Sequence, residues 1–210
     1  KRIIIHHSAT KDGITVDWNA IDNYHTNTLG YLDIGYHWGV EKVNGKLTIM
    51  KGRPEEMDGA HTKQQNMNKI AIGVCVVGNF DQEIPSDDTY QITAQLCADI
   101  CFRNKISLSG VDAAIDPHSK YAVKTCPGKN FDMAKLKNLT KYFLGLKLKE
   151  EEALSQSFKD IKGHWGEKDI TEAKAIGLVK GDETGNFYPN NGITRAEVVA
   201  IIMRLYRILK

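Results

Sequence analysis

The chain has 210 residues, 41% of them hydrophobic and 26% charged, which is enough for one or two domains with a buried core. A formal net charge of only +2, with no basic stripe interleaved with aromatics, leaves no field to attract nucleic acid. No apolar run approaches the roughly 20 residues that span a bilayer, and four cysteines are too few for a disulfide scaffold of this size. The chain begins at Lys1 without a methionine, so a leader could have been removed or cropped.

In chain order, residues 2–5 form a short β-branched run that reads as a buried strand delivering His6 at its end. Residues 17–27 read as a helix with Trp18, Ile21 and Tyr24/His25 on one face. Residues 35–43 alternate like a strand, Asn44-Gly45 marks a type I′ hairpin turn, and residues 46–50 return. Gly59-Ala60-His61 lies in a polar loop. Residues 70–77 are almost wholly apolar, as in a strand covered on both faces, and Cys75 within them reads as a small core residue. A helix is expected over about 89–104, where Cys97 and Cys101 share a face and read as core packing. Next comes an irregular segment holding His118, Lys124 and Cys126, and then an amphipathic helix over 131–144. Strands interleaved with helices predict an α/β domain over residues 1–145.

Residues 146–156 are charged and read as a linker, in coil or helical form. A small helix–loop–helix unit follows over 157–210, with a helix at about 168–176 closed by Gly177. Its last helix is opened by a Thr194/Glu197 capping box, with Ile193 and Val198 placed as a hydrophobic staple. That helix carries an apolar stripe of Val198, Ile201, Ile202, Leu205 and Ile208. A unit of this size is marginal alone and is expected to pack on something.

His6, His118 and Cys126 would supply two nitrogens and one sulfur, and three protein ligands plus water is the catalytic zinc arrangement. His6 and His7 are adjacent on a strand and point to opposite faces, so at most one faces a metal. Lys124 could reach the oxyanion of a tetrahedral intermediate, and Tyr36 could orient water or donate to the developing charge. The competing chemistry is a nucleophilic pair, with Cys126 attacking and His118 as base. On these grounds alone Lys124 could equally be a solvated surface charge, and Tyr36 a core aromatic with its hydroxyl bonded.

Residues 2 to about 144 resemble the zinc-dependent N-acetylmuramoyl-L-alanine amidases, a family that includes phage endolysins and shares its fold with peptidoglycan-recognition proteins. The pieces that carry the resemblance are His6-x-Ser8-Ala9-Thr10, Gly35-Tyr36-His37, Gly59-Ala60-His61, residues 72–80, and His118 followed eight residues later by Cys126-Pro127-Gly128. The resemblance implies a mixed central β-sheet flanked by helices and one zinc ion held by His6, His118 and Cys126. It places the catalytic tyrosine on Tyr36 and the catalytic lysine on Lys124, and assigns substrate contact to His61 and His37. The segment at 112–117 lacks the usual Gly-His-Arg-Asp style lead-in.

Residues 157 to about 207 resemble one S-layer homology module, through Phe158-x-Asp160-Ile161, His164-Trp165, Gly177-Leu178-Val179-x-Gly181, Gly185-x-Phe187-x-Pro189-Asn190 and Ile193-Thr194-Arg195-Ala196-Glu197. This implies anchoring to a secondary cell-wall polymer, with Asp160, Trp165 and Arg195 as contacts, or self-association through the module. On size and burial habits alone, Trp165 could instead be a core residue. Together the resemblances imply a peptidoglycan hydrolase that acts at the bacterial wall as a secreted autolysin or a phage endolysin. It would cut the amide between N-acetylmuramic acid and L-alanine. The alternative is a recognition protein that holds muropeptide without cutting it.

Overall fold

A computed structural model of the chain describes residues 1–10, 17–108, 114–155 and 157–209. Position 112, in the segment with the unusual lead-in, lies outside them. The chain forms two compact units, residues 1–145 and 146–210.

In the first unit, five strands form one mixed sheet in the order β3-β2-β4-β1-β5. They are β1 (Arg2–His7), β2 (Trp38–Val43), β3 (Lys46–Lys51), β4 (Ala71–Val76) and β5 (Ile115–Pro117). β1 pairs parallel with β4 and β5, β2 pairs parallel with β4, and β2 and β3 form the antiparallel hairpin. Asn44 and Gly45 both take positive φ, 49° and 80°, as a type I′ turn requires, and set Val43 opposite Lys46.

The expected helix at 17–27 is α1 (Trp18–Asn23) continuing into a π-helical turn, Tyr24–Thr28. The Asp17 side chain accepts from the Ala20 N–H and so caps its start. A short helix α2 (Met67–Ile70) runs directly into β4. α3 (Asp87–Arg103) starts where the Ser86 hydroxyl accepts from Thr89 N–H, with Asp87 and Asp88 complementing the helix dipole. Cys97 and Cys101 are buried within it.

One face of the sheet packs Ile3, Ile5, Ile72, Val74 and Val76 against Leu96 and Ile100 of α3 and Leu136 of α4 (Met133–Ser155). The opposite face carries two smaller clusters, one of Trp18, Ile21, Ile34, Cys75 and Val77, the other of Ile4, Met67 and Ala71. Ile3, Ile4 and Ile5 are fully buried, each contributing roughly 2–3 kcal/mol by removal from water. One part of the sequence reading needs correction. The segment that carries His118 and Cys126 is not wholly irregular, because Ile115–Pro117 adds the edge strand β5, where a proline costs no ladder bond. The segment over 146–156, for which a helical linker is one reading, is helical through Ser155, because Leu, Lys, Glu and Ala dominate it and neither Gly nor Pro interrupts it beyond Gly145.

In the second unit, Phe158 and Ile161 are buried, and Phe158 stacks on Phe187 with centroids 5.2 Å apart. α5 (Glu167–Ala175) and α6 (Arg195–Ile208) are its further helices, and α6 opens with a complete Thr194/Glu197 capping box. Ile193 and Val198 nevertheless stay exposed, as do Ile202, Leu205 and Ile208 of the apolar stripe.

Candidate metal centre

Strand alternation decides which histidine faces the site. Ile3, Ile5 and His7 share the α3 face; Ile4 and His6 point the other way. His7 is spent structurally, its Nδ1 accepting from the Phe80 N–H at 3.2 Å beside the Phe80 ring. The register sets His6 beside Cys75 on β4, and Ile5 beside Pro117 on β5, so that the turn following β5 delivers His118. The Ser119 N–H donates to the Cys126 carbonyl at 2.8 Å, folding the cysteine back over that turn. Buried Asp116 anchors the same turn by accepting from Arg2, Lys120 and Tyr121 at 2.7–2.9 Å.

These pairings bring one ligand atom each from His6, His118 and Cys126 within 4.8 Å of one another, and all three residues are buried. Cys126 Sγ lies 3.8 Å from His6 Nδ1, and the His6 and His118 rings are 4.4 Å apart. Tetrahedral zinc, with metal–sulfur and metal–nitrogen bonds near 2.3 and 2.0 Å, separates its ligand atoms by about 3.3–3.6 Å. The trio therefore closes on an ion with shifts of about an ångström. Among the described residues no further His, Cys, Asp or Glu joins the group, which leaves a fourth position open.

The electrostatics suit the same donors. Burial, reinforced by Lys124, lowers His118 to about 4. Burial and the neighbouring imidazoles hold His6 well below its usual value. Both rings are thus neutral at pH 7, the form that binds a metal. Burial pushes the Cys126 thiol up to about 11, against the pull of the His7 backbone N–H, 3.4 Å from Sγ, and of the Lys124 charge. With the thiol near 11 and the imidazole near 4, the proton stays on sulfur, and the nucleophilic Cys126–His118 pair is poorly poised.

The other expected residues divide. The Tyr36 ring lies 5.1 Å from that of His6, and its hydroxyl donates to Cys75. Burial raises its pKa well above 10, so it stays a neutral donor. Lys124 is exposed at the mouth, near enough for its charge to act on His118 and Cys126. His37 is buried, its Nδ1 accepts from Gly73 N–H at 2.9 Å and its Nε2 faces the Met57 carbonyl at 3.1 Å, so both ring nitrogens are engaged within the protein. The His61 Nδ1 lies 3.1 Å from His6 Nε2 and its Nε2 lies 3.4 Å from the Ala71 carbonyl, so both are engaged within the protein.

In the second unit Asp160 is engaged within the protein. Its two carboxylate oxygens accept from the backbone N–H groups of Phe187 and Tyr188, which makes it a loop clamp. Trp165 is 90% exposed, so the core reading fails for it, and Arg195 is also exposed. Sequence reasoning missed Thr62, Cys75 and Asp116 at the centre. None sits in a local pattern, although a lone Asp directly before Pro117-His118 was a usable signal.

A family profile described as N-acetylmuramoyl-L-alanine amidase matches residues 1–129. The chain belongs to this amidase family. A profile for the S-layer homology domain matches residues 157–199. Among solved structures, the N-acetylmuramoyl-L-alanine amidase LysC from Clostridium intestinale URNW superposes with a TM-score of 0.54 at 26% identity, covering 65% of this chain and 81% of that one. Peptidoglycan-recognition protein SC1a of Drosophila melanogaster is 27% identical over 130 residues, 60% of this chain and 66% of its own length. The chain thus spans just under two thirds of that relative. S-layer protein EA1 of Bacillus anthracis is 38% identical over 63 residues, 30% of this chain and 7% of that protein. The sheet and flanking helices are those of the amidase family. Membership supports peptidoglycan hydrolysis or recognition, and the S-layer homology match points to association with the cell wall.

Proposed function

We propose that the chain is a zinc-dependent peptidoglycan amidase. It hydrolyses the amide between the lactyl group of N-acetylmuramic acid and the L-alanine of the stem peptide. The observation that carries the reading is the convergence of His6, His118 and Cys126 with no fourth ligand beside them among the described residues. A zinc ion bound there would supply Lewis-acid polarisation of the scissile carbonyl and bring the pKa of water towards neutrality.

The chain's own residues do the rest. His6 and His118 offer neutral imidazoles, and the His7 N–H and the Lys124 charge favour the thiolate form of Cys126. Lys124, a cation at the mouth, stabilises negative charge as it develops on the carbonyl oxygen. Tyr36 keeps its proton, its ring stands beside that of His6, and on substrate binding its hydroxyl exchanges the Cys75 sulfur for a hydrogen bond to the reacting centre. In the second unit Trp165 offers a sugar-facing ring and Arg195 a cation for an anionic wall polymer.

Incubating the zinc-loaded protein with a soluble muropeptide tests the reading by mass spectrometry. The expected products are free stem peptide and a glycan ending in the lactyl acid, with one water added overall. Intact muropeptide that stays bound would make the protein a recognition module instead.

A further inference from the structure

We infer that His61 is a positioning residue that sets the tautomer of His6, so that His6 presents an unprotonated Nδ1 to the metal. The inference deepens the zinc reading above and rests on it.

The chain of contacts fixes each proton in turn. The Ala71 carbonyl accepts but cannot donate, and it lies 3.4 Å from His61 Nε2. The proton of a neutral His61 ring therefore sits on Nε2, and its Nδ1 is an acceptor. That Nδ1 is 3.1 Å from His6 Nε2, so His6 donates from Nε2. The His6 lone pair is then left on Nδ1, the atom 3.8 Å from Cys126 Sγ. Thr62 Oγ1, buried between the two rings, lies 3.1 Å from His61 Nδ1 and 3.4 Å from His6 Nε2, and it reinforces the same contact.

The seat of the His61 ring is built rather than incidental. The ring lies against both Gly59 and Gly73, and a Cβ added to either would collide with it; on Gly73 the added atom would stand 2.5 Å from His61 Cδ2. Asn68 Oδ1 accepts from the backbone N–H groups of both His61 and Thr62, at 2.9 and 2.6 Å, and locks the loop that carries them. Partners of this kind orient a metal-binding imidazole and typically alter metal affinity 10- to 100-fold.

Two readouts on the full chain test this. In metal-free protein with 15N-labelled histidine, long-range 1H–15N correlations are expected to show His6 and His61 both protonated at Nε2. His61→Ala is expected to mix the His6 tautomers and to weaken zinc binding about 10- to 100-fold in competition with a chromophoric chelator. His61→Asn, whose carbonyl oxygen can stand where Nδ1 stood, is expected to recover most of the affinity. The inference is overturned if His61 carries its proton on Nδ1, or if His61→Ala binds zinc as tightly as the wild type. If His61→Ala does not fold, the wild-type tautomers and His61→Asn still decide. If the wild type takes up no zinc, the amidase reading falls while the tautomers of the metal-free protein still judge this inference.

Discussion

Replacing Gly73 by alanine probes the geometry under the centre. The added Cβ would lie 2.5, 2.6 and 2.8 Å from His61 Cδ2, Cγ and Nε2. Unbonded carbons settle near 3.5–4.0 Å, so the overlap is about 1 Å. The ring has little room to move, because Gly59 also lies against it and the ring nitrogens are tied to His6 and Ala71, and β4 cannot yield, because β1 and β2 pair with it on both edges. Overpacking of this kind costs about 2–3 kcal/mol, or about 5–10 °C in Tm for a unit of this size. Displacing His61 from His6 is also expected to weaken zinc binding about tenfold. The assay is thermal unfolding by circular dichroism, paired with chelator competition. Gly145→Ala is the control: an added Cβ there meets nothing within 4 Å, and inside α4 it is expected to stabilise by roughly 0.5–1 kcal/mol. A Gly73→Ala protein that melts with the wild type and holds zinc equally well would refute the packing argument.

Cys126→Ser is expected to weaken zinc binding by more than the roughly 100-fold that outer partners reach, since it removes a ligand from three, and to abolish muropeptide cleavage. Unchanged turnover at stoichiometric zinc would contradict it. Asp116→Ala removes the acceptor shared by Arg2, Lys120 and Tyr121 and loosens the turn before His118; a loss of about 1–2 kcal/mol in urea unfolding is expected, with weaker zinc binding, and no loss would refute the anchoring role. In metal-free protein, burial holds His118 near 4 and His61 near 3, below the unfolded value of about 6.5. The unfolded chain therefore takes up protons first as pH falls. Stability is full above about 6.5 and declines towards pH 4, and His118→Asn should shrink that slope in urea titrations at pH 7.5 and 4.5. Trp165→Ala should reduce cell-wall pull-down with Tm unchanged, whereas Asp160→Ala should lower the melting temperature of the second unit by releasing two backbone N–H groups; the reverse pattern would exchange their roles.

Local signals carried much of this architecture. The β-branched run before His6, the Asn44-Gly45 turn and the all-apolar β4 each declare their state within a few residues, whereas α3, expected from about 89, starts two residues earlier at the Ser86 cap. β5 was not legible, because three residues ending in proline have no period, and only pairing with β1 makes them a strand. The extension of α4 past Gly145 was legible only as a charged linker, in coil or helical form, because charge on good helix formers describes a solvated helix and an open linker equally well.

At the site, spacing and resemblance placed His6, His118 and Cys126 together, whereas the duties of His37 and His61 depend on partners 10 to 55 residues away. No window of sequence contains those contacts. The same holds for Asp160, whose backbone partners lie 27 and 28 residues further along.

Anomalous X-ray scattering at the zinc edge, from crystals of zinc-loaded protein, is the most direct measurement. The expected result is one peak bonded to His6 Nδ1, His118 and Cys126 Sγ, with a solvent molecule in the fourth position. A peak elsewhere, or a fourth protein side chain completing the shell, would contradict the account.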